Sequence, residues 1–159
     1  MTVAVIGVGR GFRGDDSAGL EAVRRWQHLQ PVTSQRQDIR VARVEEPGLE
    51  LLDLLEGMDA AILVDAVITG APPGTLRVVS PDDLAEIRAA PASAHGWGVA
   101  EALMLGRTLD PRAADIEIRI LGIEAARTEM GTGLSPEVEA ALPRACETIQ
   151  IEVTGLLEA

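Results

Sequence analysis

The chain has 159 residues, a length that suits one domain and lets roughly 70% of the unfolded surface be buried. Its formal net charge of −11 counts against nucleic-acid and anionic-membrane partners, which call for a basic footprint. All 14 basic residues are arginine, which excludes a lysine Schiff base and a P-loop lysine.

Hydrophobic residues make up 47% of the chain, yet only Phe12, Trp26 and Trp97 are aromatic, so the core is expected to be aliphatic. The single cysteine, Cys146, cannot close an intramolecular disulfide and falls on the apolar stripe of the last helix, which suits a packed thiol in a reducing compartment. The amino-terminal residues lack the basic region of a signal peptide. No stretch approaches the ~20 apolar residues of a membrane span. A soluble cytoplasmic protein is expected.

In chain order, residues 2–8 read as a buried strand, short, β-branched and ended by glycine. Residues 18–29 read as an amphipathic helix, residues 38–44 as a second strand and residues 48–56 as a short helix rich in leucine. Residues 60–68 form the central strand, apolar throughout except for Asp65, as strands covered on both faces are. A turn with Pro72 and Pro73 leads to a short strand at 75–79, and Ser80-Pro81-Asp82-Asp83-Leu84 reads as a capped helical turn. Residues 98–107 are helical.

Residues 115–121 alternate Ile116, Ile118 and Ile120 with Glu117 and Arg119, the pattern of a half-exposed strand at a sheet edge. Ser135 and Pro136 open the final helix as N-cap and first residue, and Pro143 should kink it. The order β-α-β-α-β-β-α-β-α predicts one α/β domain over residues 1–159: a three-layer sandwich on a mostly parallel sheet of about five strands. A flavodoxin-like order around strands 2-1-3 is expected, as in 2-1-3-4-5.

In such a sheet Asp16, Asp65 and His95 converge on the carboxyl edge, where these folds bind ligands. Two carboxylates and an imidazole there suit a divalent metal with open positions. Taken singly, each has a plainer role. Asp15 or Asp16 serves equally as an N-cap to the first helix, Asp65 as a loop cap and His95 as an ordinary loop histidine. An acid inside an apolar strand does, however, require a partner or solvent access.

Gly9-Arg-Gly-Phe-Arg-Gly14 matches the dinucleotide fingerprint, with Glu45 or Glu46 placed to pose as the ribose-binding acid. Against that reading, Asp15 and Asp16 stand where a pyrophosphate would lie and would repel it. No nucleotide or organic cofactor is expected.

The chain resembles the hydrogenase maturation proteases, endopeptidases that process the large subunit of [NiFe] hydrogenases. The resemblance rests on Val5-Ile-Gly-Val-Gly-Arg10 with Gly14-Asp-Asp16-Ser-Ala-Gly19, on Leu63-Val-Asp65-Ala-Val67, and on Ser93-Ala-His95-Gly-Trp-Gly98. Pro73-Gly-Thr75 and Gly131-Thr-Gly-Leu-Ser-Pro136-Glu-Val-Glu139 add to it, so that it runs from about residue 3 to residue 155.

The resemblance implies a phosphorylase/hydrolase-like fold and an endopeptidase that removes the C-terminal extension of a nickel-loaded large-subunit precursor. Asp16, Asp65 and His95 would be both the catalytic and the metal-contacting residues, with the nickel supplied by the substrate. Two positions depart from the family pattern and bear on precursor specificity rather than fold: Arg10 where asparagine is usual, and Glu45-Glu46-Pro47-Gly48 where a glycine-rich segment is common. Nickel-assisted hydrolysis and an aspartic-type mechanism, with one carboxylate as general base and nickel for recognition alone, both fit. The other function classes are a non-catalytic recognition module or metallochaperone and a nucleotide-binding α/β enzyme.

Overall fold

The computed structural model describes residues 1–45, 48–83, 98–129, 131 and 133–159. Among the described residues, five strands form one sheet: β1 (Val3–Val8), β2 (Ile39–Val44), β3 (Ala60–Val67), β4 (Leu76–Val79) and β5 (Glu117–Glu124), in the order β2-β1-β3-β5-β4. The first four in that order are parallel, with Gly7 beside Val64 and Asp65 beside Gly122, while β4 runs antiparallel to β5. The helices that lie wholly within the described residues are α1 (Ala18–Leu29), the one-turn α2 (Pro31–Ser34), α3 (Leu49–Leu55), α4 (Val99–Leu109) and α5 (Pro136–Glu158).

Alternation along the strands builds two cores, as successive side chains point to opposite faces. Val3 and Val5 of β1 and Ile62 and Val64 of β3 pack under α1 and α5, where Trp26 is fully buried. Ala4, Ile6, Ala61 and Leu63 pack under α3 and α4. This is the expected three-layer α/β sandwich. Among the described residues Trp26 is the one aromatic side chain of the core, and its indole N–H donates to the Gln150 side chain at 3.0 Å. Arg25 bridges Glu21 of α1 and Glu139 of α5, joining the two helices at their surface.

The 2-1-3 neighbourhood is present, but β5 rather than β4 follows β3. The chain from β3 to β4 turns through the two prolines without a crossover helix, so β4 comes back antiparallel to β5. This also corrects the edge reading of residues 115–121. β5 lies between β3 and β4, and its second half, Leu121 to Glu124, is buried. Only its first residues emerge beyond the short β4, and they carry the alternation that resembled an edge. The capped turn after β4 is present. Asp83 N–H donates to the Ser80 hydroxyl, and Ser80 N–H donates to the Asp83 carboxylate, a reciprocal pair that closes the helix start. Leu84 lies outside the described residues. Pro143 lies within α5, which continues past it as one helix.

Candidate active site at the carboxyl edge of the sheet

The loop after β1 carries Asp16 back over the strand ends through a tight 3-10 turn, Gly14–Ser17, that leads directly into α1. The backbone passes too closely for side chains. A Cβ on Gly9 would stand 2.0 Å from the Asp16 carbonyl oxygen, and one on Gly19 would stand 2.1 Å from that of Val64. The start of α1 thus rests on the ends of β1 and β3, with Asp16 above β1 and Asp65 within β3, two residues before its end. The two acids share the carboxyl edge and come from neighbouring strands. Both are partly exposed and both are engaged by other groups.

Asp65 shares the strand face of Ala61 and Leu63, the side covered by α3 and α4. α4 is followed by the turn Pro111–Asp115 and then by the start of β5 at the opposite edge, so its own first residues lie at the carboxyl edge. His95 and its segment lie outside the described residues, as do Trp97, Glu46 and Pro47; Gly98, three residues after His95, is the first described residue before α4. Among the described residues, no three His, Cys, Asp or Glu side chains gather as a metal-holding group.

Asp15 behaves quite differently from its neighbour. In a turn with about three residues per turn, adjacent side chains diverge by roughly 120°, and Asp15 points into the protein. It is fully buried, and one carboxylate oxygen accepts from Ala126 N–H at 2.7 Å, Arg127 N–H at 3.0 Å and the Ser135 hydroxyl at 2.8 Å. Its other oxygen accepts from Ser135 N–H at 2.7 Å. Burial pushes the carboxyl up, but the combined hydrogen bonds outweigh it and hold it below the usual aspartate range.

This sets aside the plainer role of Asp15 or Asp16 as N-cap. The N-cap residue of α1 is Ser17, whose hydroxyl donates to the Gly14 carbonyl, so neither Asp15 nor Asp16 caps that helix. Ser135 is the N-cap residue of α5 and Pro136 its first residue, as expected, although the Ser135 hydroxyl donates to Asp15 and makes no capping bond to its own helix.

Glu124 is the second acid that the pattern concealed. It is buried at the end of β5 and accepts from Thr69 N–H at 2.7 Å, Gly70 N–H at 3.1 Å and the Thr69 hydroxyl at 2.8 Å. Its backbone is bonded to Gly74 and Thr75, so one residue holds both ends of the proline turn that follows β3. The sequence signal for Asp15 was the Asp15-Asp16 doublet, since two adjacent acids in a tight turn cannot face the same way. Glu124 offered only an acid at the end of an apolar strand.

The amides at the start of the glycine loop are engaged within the protein. Arg10 N–H donates to the Asp16 carbonyl at 3.2 Å and Gly11 N–H to the Glu45 carboxylate at 3.2 Å. These are groups that a pyrophosphate would need, which agrees with setting the dinucleotide fingerprint aside. Cys146 is buried against the Ala22 carbonyl and burial pushes its thiol up, the opposite of a reactive thiolate.

The sequence model of the family described as hydrogenase maturation protease matches residues 46–152, more than half of the chain and including Asp65 and His95. The chain belongs to the hydrogenase maturation proteases. It is therefore a hydrolase of the peptidase class, with a role in hydrogenase maturation. Protein FrxA of Pyrococcus furiosus is 30% identical over 136 residues, covering 86% of this chain and 93% of that one. The solved [NiFe] hydrogenase maturation protease HybD of Thermococcus kodakarensis has 28% identity and a TM-score of 0.78, with 96% of this chain and 99% of that one covered. The hydrogenase maturating endopeptidase HybD of E. coli superposes with a TM-score of 0.79 at 22% identity over 98% and 93% of the two chains, a likeness of fold. No helix among the described residues is long and apolar enough to cross a membrane.

Proposed function

We propose that this maturation protease removes the C-terminal extension of a [NiFe] hydrogenase large-subunit precursor in the cytoplasm, and that it acts on the precursor already loaded with nickel. The observation that carries the reading is the delivery of Asp16 and Asp65 to one edge by the adjacent strands β1 and β3. Gly98 stands at that edge three residues after His95, and this supports adding the imidazole to the two carboxylates. The nickel belongs to the substrate. Asp16 and Asp65 contact it as carboxylates and His95 as the neutral imidazole, so that the metal positions the scissile peptide against the protease.

Hydrolysis adds a water oxygen to the scissile carbonyl carbon, breaks the C–N bond and passes a proton to the leaving amine. The shortened subunit and the free peptide are the products. Polarisation of the water or the carbonyl by the substrate's nickel lowers the barrier to that addition. Two partly exposed carboxylates and one imidazole bind free metal weakly. A precursor that brings its own ion therefore supplies the contact that an unloaded one lacks, and nickel acts as a checkpoint.

The test mixes the protein with its cognate precursor, with and without nickel, and follows intact mass. Shortening at the C-terminus of the loaded precursor alone is expected. Nickel-independent cleavage would overturn the checkpoint, and no cleavage of either form would overturn the proposed substrate.

A further inference from the structure

Phe12 sits at the tip of the glycine loop, four residues before Asp16, and is 88% exposed. It is the chain's only phenylalanine and has a φ of +62°, a left-handed conformation that a bulky residue adopts at a cost and glycine adopts freely. Folding gains nothing from this placement: the ring is in water and the backbone is strained. Yet the loop is fastened around it. The Phe12 carbonyl accepts from Gly131 N–H at 2.6 Å, Asp16 N–H donates to the Arg13 carbonyl at 3.1 Å, and the Arg10 and Gly11 amides are held by Asp16 and Glu45. A bulky residue whose backbone is kept in an unfavourable conformation by its surroundings, beside a candidate active site, points to use by a ligand.

The neighbouring loops extend the pattern. Ile68, just beyond β3, is 59% exposed, and Leu49, the first residue of α3 after β2, is 66% exposed. Leu49, Phe12 and Ile68 thus follow β2, β1 and β3, consecutive strands in the sheet. With strands about 4.8 Å apart, roughly three residues of extended peptide cross all three strand ends. A chain of net charge −11 gains little from an acidic peptide, whereas apolar contacts there carry no charge penalty.

We infer that Phe12 is the anchor that seats an apolar side chain of the precursor's C-terminal segment beside Asp16 and Asp65. The inference rests on the proposed reading of the substrate. A solvent-facing aromatic on a fastened loop next to the reacting bond contributes to binding more than to the chemical step, as aromatic anchors do at interfaces.

The experiment compares wild type with Phe12→Asn, Phe12→Gly and Phe12→Leu on the nickel-loaded precursor. It reads KM and kcat of cleavage, equilibrium binding of the precursor and the thermal midpoint. Asparagine and glycine both accept a left-handed backbone, so neither Phe12→Asn nor Phe12→Gly should lower the midpoint. Phe12→Asn is expected to raise KM at least about tenfold, the scale of an interface anchor, with kcat within about twofold of wild type. Phe12→Leu should recover most of the loss. Val32→Asn, which removes an equally exposed apolar side chain on the one-turn helix at the far edge, should change nothing.

An unchanged KM in Phe12→Asn would overturn the anchor and leave the protease reading intact, as would a joint fall of kcat and midpoint. If wild type binds the precursor without cutting it, the protease reading falls and binding decides the anchor. Tenfold weaker binding by Phe12→Asn then sustains it, and equal binding overturns it. If wild type neither binds nor cuts, both fall.

Discussion

Asp15 and Asp16 are consecutive in the chain and belong to different parts of the molecule. Beneath the carboxyl edge, Asp15 and Glu124 are buried and accept hydrogen bonds on both carboxylate oxygens, tying the Gly14–Ser17 turn, the end of β5 and the start of α5 into one floor. On the rim above, Asp16 and Asp65 are partly exposed and Phe12 stands in water. The contrast shows that an acid's type says little about its work. A buried acid with hydrogen bonds on both oxygens serves as scaffold, while a partly exposed one at the carboxyl edge is within reach of a substrate.

The largest effects should come from the rim. Asp16→Ala and Asp65→Ala are each expected to slow precursor cleavage by about 10²–10⁴-fold, the scale for losing a group that acts on the reacting centre, with thermal midpoints close to wild type. Intact-mass time courses paired with thermal melts check this, and full activity in Asp65→Ala would erase the distinction. His95→Ala should likewise impair cleavage.

The floor should answer in stability. Asp15→Ala leaves the amides of Ala126, Arg127 and Ser135 without their acceptor, at about 3 kcal/mol in urea unfolding. Because the folded-state pKa of Asp15 is depressed, its charged form stabilises the protein fully above the unfolded value near 3.9, and that contribution is lost as pH falls through the lower folded value. Wild type should therefore lose stability more steeply than Asp15→Asn below about pH 4. A constant difference between the two down to pH 2 would mean that the charge of Asp15 contributes nothing.

Glu124 sharpens the comparison further. Glutamine keeps one oxygen for the Thr69 and Gly70 amides, and the Thr69 hydroxyl can turn to accept from its amide. Glu124→Gln should therefore cost under about 0.5 kcal/mol, and Glu124→Ala about 2 kcal/mol. Equal losses would show that charge, not hydrogen bonding, holds the turn. The smallest effects belong outside both regions. His28→Ala, on an exposed helix end, and Cys146→Ser should leave the cleavage rate within about twofold of wild type, as changes away from a site do; a larger loss in either would extend the functional region past the rim.

Much of this arrangement was legible in the chain. Continuous apolar runs around β1 and β3 identify strands covered on both faces, and a parallel sheet then delivers Asp16 and Asp65 to one edge whatever the remaining order. Less legible was anything that depends on which element lies alongside another. Residues 115–121 have the alternation of an edge strand because β4 is too short to cover them, not because β5 lies outside. Ser135 has the type and place of an N-cap, but a buried carboxylate 120 residues away takes its hydroxyl.

The sequence by itself determined the α/β class and, for a parallel sheet, the shared edge of the two acids, because hydrophobic periodicity and glycine placement act over a few residues. The tertiary structure decided that β5 lies inside the sheet, that Asp15 is scaffold while Asp16 faces the rim, and that Phe12 is held out in water. Those outcomes hang on hydrogen bonds and close approaches between segments far apart in the chain, such as Asp15 with Ser135 and Phe12 with Gly131, and local pattern carries no record of such partners.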